Sequence, residues 1–363
     1  MITCSGCGID IQTEQQDKIG FAPKQALTRD IPYCQRCFRL RHYHETPSVS
    51  LTDSDYLELL HEIGSRKGLF AKVVDIFDFH GSFLPGLQRM IGSNPCVLIA
   101  NKVDLLPKSA SHERLIHWMK YEAKQLGLTV QDVLLVSAQK GTGVQEAMQR
   151  LDALRDGEDL YIVGCTNVGK STFINKVLEE AMGEKELITT SQIPGTTLGL
   201  IEIGLEDGQA LYDTPGIVNA DQMAHVLTAD ELKAITPKKE IKPKVYQLDE
   251  GQTLFLGGLA RLDFLSGDHA SFVVYVANDL YIHRTKTERA DTLYEEHVGE
   301  VLTPPTKDRS AAFPSLTAQE LSSKNEECDI VFSGLGWVRI PPGVRVRAYV
   351  PKGVTCLVRK AIL

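Results

Sequence analysis

No apolar run in this chain approaches the roughly twenty residues that a membrane-spanning helix requires. The N-terminus also lacks the charged-then-apolar pattern of a secretory leader. These two absences point to a cytoplasmic protein with no membrane partner. Cysteine is sparse, with 8 in 363 residues, which argues against a disulfide-stapled scaffold. An excess of basic charge is missing as well: 39 Lys and Arg face 47 Asp and Glu, for a net charge of −8. That balance argues against a wholly basic nucleic-acid binder, and no DNA partner is expected, although a local basic face is compatible with it. What the chain does have is length enough for two or three domains and an ordinary apolar fraction of 43%.

The stretch that organises the rest is Gly164-Cys165-Thr166-Asn167-Val168-Gly169-Lys170-Ser171-Thr172, which reads G-x-x-x-x-G-K-S. An apolar run, Leu160 to Val163, precedes it, and helical spacing follows from Ser171 to Leu178. A glycine-rich turn between strand and helix lets backbone N–H groups point inward at phosphate oxygens. In such a loop Lys170 reaches the terminal phosphates and Ser171 offers its hydroxyl to Mg²⁺.

Four of the cysteines form two pairs, Cys4-x-x-Cys7 and Cys34-x-x-Cys37. Four thiolates close a tetrahedral Zn²⁺ site, so this segment is expected to be a structural zinc module that needs its metal to fold. His42 and His44 are expected at the surface, because four cysteines already suffice. Arg36, Arg39 and Arg41 crowd the second pair. They read equally as a solvated face or as an RNA backbone contact.

Between this module and the phosphate loop the pattern alternates. Asp53 to Gly64 reads as a helix, and Lys72 to Asp78 as a buried strand ending in acid. Pro95 to Ala100 is a strand running into Asn101-Lys102-Val103-Asp104. His112 to Leu126 reads as an amphipathic helix, and Asp132 to Val136 as a strand running into Ser137-Ala138-Gln139-Lys140-Gly141. N-K-x-D and S-A-x-K are weak signals singly and strong together. The Asp104 carboxylate can accept from guanine N1–H and its exocyclic amine, a donor pair that adenine lacks. Asn101 can serve the opposite edge of the base, the Lys102 stem can cover its face, and the Ala138 N–H can meet the guanine carbonyl.

Downstream of the phosphate loop, Ile193-Pro194-Gly195-Thr196-Thr197 reads as a first switch. Thr197 is the expected Mg²⁺ ligand, with Thr196 as the alternative. A hairpin around Glu206-Asp207-Gly208 then leads to Asp213-Thr214-Pro215-Gly216. D-x-x-G after a strand places Asp213 at the Mg²⁺ water shell and the Gly216 N–H on the terminal phosphate. The order is unusual. Ordinary GTPases present the phosphate loop, switch threonine and D-x-x-G before N-K-x-D and S-A-x, whereas here the last two come first. The chain therefore resembles the circularly permuted GTPases. With cysteine pairs in front and a further domain behind, it is most similar to the bacterial YqeH family. That resemblance implies a GTPase, binding GTP and GDP, that acts in assembly of the small ribosomal subunit through its rRNA or a precursor particle.

One side chain is missing from the set. Many GTPases follow D-x-x-G with a glutamine that orients the attacking water. Here Ile217 and Val218 stand there, and neither can hydrogen-bond water. The sequence thus resembles GTPases in which an asparagine of the phosphate loop holds a K⁺ ion, and Asn167 occupies the matching position. The alternative is that Asn167 braces the loop through local backbone.

Beyond His225 the composition shifts to short β-like runs, including Thr253 to Phe255, Ala260 to Phe264, Ser271 to Val276, Ile330 to Phe332 and Val344 to Val350. From Val338 onward the basic residues Arg339, Arg345, Arg347, Lys352, Arg359 and Lys360 stand without a single acid. Arg345 and Arg347 alternate and are expected to share one strand face. Charge runs of this kind also form solvated faces. The family resemblance implies an RNA-binding role, similar to the tryptophan-responsive RNA-binding attenuation protein. The expected architecture is an α/β, circularly permuted P-loop G domain over residues 49–225. A zinc-knuckle module over 1–48 precedes it, and a β-rich domain over 226–363 follows. The rival function is a zinc-dependent nucleic-acid-binding regulator whose nucleotide site is mainly structural.

Overall fold

The computed structural model describes residues 2–4, 10–15, 20–28, 32–35, 38, 50–51, 53–84, 86–182, 190–192 and 200–363. By compactness the chain divides into two units, one of residues 1–103 and 112–219, the other of residues 104–111 and 220–363.

The first unit is built on a seven-stranded sheet. Ser50–Leu51 (β1) stands apart from it. The strands of the sheet are Gly68–Asp75 (β2), Cys96–Asn101 (β3), Asp132–Leu135 (β4), Asp159–Gly164 (β5), Thr190–Gln192 (β6), Ile201–Gly204 (β7) and Ala210–Asp213 (β8), in the order β4-β3-β2-β5-β8-β7-β6. The pairs β4-β3, β3-β2, β2-β5 and β5-β8 are parallel, and β7 and β6 add an antiparallel edge. Strands β2, β3 and β5 read as near-continuous apolar runs, as interior strands of a parallel sheet do, and all three are buried almost throughout. The helices are Asp53–Gly64 (α1), Leu87–Ile91 (α2), His112–Gln125 (α3), Val144–Arg155 (α4) and Lys170–Met182 (α5). The α3 face Leu115, Trp118, Met119, Glu122 and Ala123 is buried, following the 3.6-residue period of its sequence. Strand β2 ends three residues earlier than the apolar pattern suggested, because the chain turns at Asp75, whose carboxylate accepts from the Phe77 N–H at 2.9 Å. The strand bearing N-K-x-D and the one bearing S-A-x thus precede the phosphate-loop strand in the chain yet share its sheet. This is the connectivity of a permuted domain.

The second unit is a sandwich of two five-stranded antiparallel sheets. Its strands are Lys244–Leu248 (β10), Gln252–Leu256 (β11), Ala260–Ser266 (β12), Ala270–Val276 (β13), Ile282–Lys286 (β14), Leu316–Ser322 (β15), Cys328–Phe332 (β16), Gly336–Ile340 (β17), Arg345–Pro351 (β18) and Cys356–Lys360 (β19). Gly216–Ile217 (β9) belongs to the first unit and is described below with the candidate site. One sheet runs β10-β13-β17-β16-β19, the other β14-β11-β12-β18-β15. Alternate residues of the two sheets meet in one apolar core that includes Leu254, Leu262, Phe264, Phe272, Val274, Ile330, Phe332, Val338 and Val346. Phe264 and Phe272 join the layers with ring centroids 5.0 Å apart. The β-rich expectation for this region holds. Strands β10, β14 and β15 and the helix Thr287–His297 (α6) are polar along much of their length and do not stand out in the sequence.

Candidate functional site

The phosphate-loop sequence lies between β5 and α5, as its pattern requires. Gly169 has φ +84, and a Cβ there would lie 2.2 Å from Asn101 Nδ2, so only glycine fits. Asn167 also takes a left-handed conformation, φ 64, and is exposed at the crown of the loop. Val168 is buried beneath it. Helix α5 starts at Lys170 with no acid in its first turn, so its N–H groups face the loop without a competing carboxylate. Ser171 and Thr172 follow in that turn. The Lys170 ammonium sits on the Asp213 carboxylate and the Thr214 carbonyl, and the pair is almost wholly buried. Lys170 and the D-x-x-G aspartate, 43 residues apart, therefore occupy one point.

Asn101 is the hub of the site and is only 2% exposed. Its Oδ1 accepts from the Lys102 N–H at 2.8 Å and from the Ala138 N–H at 3.0 Å. Its Nδ2 donates to the Val168 carbonyl at 3.0 Å and the Gly169 carbonyl at 3.5 Å. One side chain thus ties the N-K-x-D turn, the S-A-x turn and the phosphate loop together. In this structure the Ala138 N–H, expected to face guanine, is directed at Asn101. Lys102 adds a second tie: its ammonium reaches Asp75 Oδ2 at 2.6 Å and donates to the Asn167 carbonyl at 2.9 Å. Ser137 is buried in a tight turn closed by its N–H to the Thr142 carbonyl at 2.9 Å. Asp104 follows in the short 3₁₀ turn Val103–Leu105 and is half-buried.

After Asp213 the chain reaches Gly216–Ile217 (β9), which runs parallel to β1. The Ile217 carbonyl accepts from the Thr166 N–H at 2.7 Å, so the backbone after D-x-x-G is hydrogen-bonded to the phosphate loop itself. A Cβ on Gly216 would stand 3.2 Å from Thr166 Cγ2, which keeps this approach close. Asn219 donates to the Gly81 carbonyl at 2.7 Å, and the Cys165 thiol donates to the Ser82 carbonyl at 3.2 Å. The turn after β2 is thereby linked both to the loop and to the segment after D-x-x-G. Asp75, Gly81 and Ser82 were missed from the sequence as parts of the site. The only signal was the acid ending the β2 run.

Thr196 and Thr197 lie outside the described residues, as do Cys7, Cys37, Arg36, Arg39, Arg41, His42 and His44. Of the cysteine pairs, Cys4 and Cys34 come together: both are buried, and the Cys34 N–H points at Cys4 Sγ from 3.1 Å. Among the described residues no group of three or more metal-type side chains is present.

The basic C-terminal run does not form one exposed face. Arg359 is buried against Asp329, with Nε 3.3 Å from the carboxylate, and Arg339 approaches the same acid at 3.6 Å. Burial pushes the Asp329 carboxyl up, and the two guanidinium groups oppose that. Arg345 and Arg347 do share a face, but Glu320 of β15 accepts from both, at 3.2 Å and 2.6 Å.

The chain is 54% identical over 363 residues to "Uncharacterized protein YqeH" of Bacillus subtilis, covering 100% of this chain and 99% of that one. It is 31% identical over 400 residues to "NO-associated protein 1, chloroplastic/mitochondrial" of Arabidopsis thaliana, covering 96% and 71% respectively. It is 26% identical over 522 residues to "Nitric oxide-associated protein 1" of Homo sapiens, covering 100% and 75%. Two family models match: "50S ribosome-binding GTPase" over residues 159–251 and "YqeH-like, C-terminal" over residues 269–362. The first match opens at β5 and takes in the phosphate loop and D-x-x-G, while N-K-x-D at 101–104 lies upstream of it.

Proposed function

The chain belongs to the YqeH family of circularly permuted GTPases, and on that premise we propose that it is a Mg²⁺-dependent, K⁺-stimulated switch in assembly of the small ribosomal subunit. It hydrolyses GTP. The observation that supports the switch reading is the convergence of Lys170, Asp213, Gly216 and the Asn101 hub on one loop whose Gly169 admits no side chain. That convergence fits a nucleotide held by Gly169, Lys170, Ser171 and Thr172 at its phosphates and by Asn101, Lys102, Asp104, Ser137 and Ala138 at its base. Ser171, Thr197 and Asp213 would hold Mg²⁺, which would supply positive charge beside the terminal phosphate oxygens.

The residue after D-x-x-G supports the K⁺ requirement. Ile217 offers only an apolar side chain, with no donor or acceptor to orient an attacking water. A cation beside Asn167, which stands exposed at the loop crown, would supply the missing positive charge. Zn²⁺ fits the Cys4–Cys34 approach, because a backbone N–H aimed at sulfur suits a thiolate acceptor; Cys7 and Cys37 would complete the four.

The small-subunit partner rests on the family resemblance, and rRNA or a precursor particle is its expected form. The test is GTP turnover by the whole protein in Na⁺ or K⁺, alone or with small or large subunits. Slow turnover that rises with K⁺ and again with small subunits is expected. Equal rates in both salts would reject the cation role, and stimulation by large subunits alone would reject the partner.

A further inference from the structure

Beneath the phosphate loop lies a group that the mechanism above does not use. Lys72 sits in the middle of β2, between Leu98 of β3 and Val163 of β5, and is completely buried. Its hydrogen-bond partner among the described residues is the Cys165 sulfur, at 3.8 Å, in the second position of the loop. A thiol sulfur is a weak acceptor. The Cys165 S–H is itself spent on the Ser82 carbonyl. The other ionisable groups facing Lys72 are Cys96 of β3 and Lys170 of α5, and Asp78 lies toward Cys165. Burial pushes both thiols up, Cys96 to about 12, so neither supplies a thiolate counter-charge. Lys170 repels a second cation. Such a place disfavours the ammonium relative to the amine, and burial accordingly lowers the Lys72 proton affinity.

We propose that Lys72 is a proton-linked positioning residue, a neutral amine in the free protein that takes up one proton from solvent when nucleotide phosphates fill the loop above it. This rests on the nucleotide site described above. The phosphates bring several negative charges into the low-dielectric cradle, and Lys170 offsets only part of them. Their field favours the ammonium, which then donates a charge-assisted hydrogen bond to Cys165 and fastens the loop floor to the central strand. The sign follows from linkage. A group protonated more readily in the bound state makes binding tighter at low pH. Affinity then weakens as pH rises between the free and bound proton affinities of Lys72, by at most tenfold per pH unit.

The experiment is calorimetric GDP binding to the full-length protein in two buffers of different ionisation heat, across pH values above the titration of the phosphates. Net uptake approaching one proton per GDP is expected, with a dissociation constant that rises with pH. Lys72→Met should bind GDP with no proton uptake and a flat profile, whereas Cys165→Ala should retain the uptake. Should Lys72→Met fail to fold, ¹⁵N-lysine spectra of the unsubstituted protein decide, by a side-chain resonance that changes from amine to ammonium on adding GDP. Binding without proton exchange, or uptake that survives Lys72→Met, overturns the proposal while leaving the nucleotide site intact. Failure of GDP to bind overturns that site and the proposal with it.

Discussion

Replacing Asn101 by alanine separates the three loops that one side chain now holds. The substitution removes acceptors for the Lys102 and Ala138 N–H groups, at 2.8 and 3.0 Å, and the donor to the Val168 carbonyl at 3.0 Å. The fourth contact, 3.5 Å to the Gly169 carbonyl, is at the limit of a hydrogen bond and is left out of the sum. Each lost bond in a buried setting costs about 1 kcal/mol net, so the three together cost about 3 kcal/mol. Water entering the vacated space would reduce that figure, and the methylene lost from an otherwise filled site would add to it. If the cost falls on the braced arrangement of the loops, the fraction of molecules ready to bind drops by up to about 150-fold, and the apparent affinity for GDP drops with it. The assay is titration with a fluorescent GDP analogue, alongside circular dichroism to show that both units remain folded. Loss of affinity in the range of ten- to a hundredfold with folding retained is expected. A change below threefold would show that the loops are held by other means, and the reading of Asn101 as their hub would fail.

Asp104→Asn should weaken GTP binding and shift preference toward xanthine nucleotides, which carry an acceptor where guanine has its amine; unchanged guanine selectivity in competition rejects the base assignment. Cys34→Ser should release zinc and unfold the N-terminal segment while leaving GDP affinity nearly intact, and elemental analysis of the unsubstituted protein without zinc would end that reading. Asn167→Ala should remove most of the K⁺ stimulation of turnover, and a full K⁺ response in this variant would assign the cation to other ligands. A flexible Gly/Ser insertion after Asn219, where the chain passes into its second compact unit, should abolish any dependence of RNA affinity on the bound nucleotide while sparing both separate affinities. Persistent coupling would move the transmission to the other covalent crossing, the segment Asp104–Ser111.

The phosphate loop, D-x-x-G, N-K-x-D and S-A-x strings could be read without coordinates because each is contiguous and its chemistry is local: a glycine turn, a lysine, a hydroxyl, a carboxylate at a strand end. Their order along the chain also showed the permutation, since order is a property of sequence alone. The β-rich character of the C-terminal region was readable for the same reason, from period-two apolar runs and glycine punctuation. Tertiary structure decided which of those groups meet. Asn101 contacts residues 37 and 67 positions away, and no local pattern marks it as a bridge between loops. The basic run after Val338 looks uniform in sequence. Antiparallel register sets Asp329 opposite both Arg339 and Arg359, and Glu320 opposite Arg347, so acids from other strands pair with side chains of the run. Lys72 reads in sequence as the polar first residue of a buried strand. Only the parallel pairing of β2 between β3 and β5, with a loop closing over one face, reveals that its amine is sealed from water, because burial depends on neighbours that arrive from elsewhere in the chain.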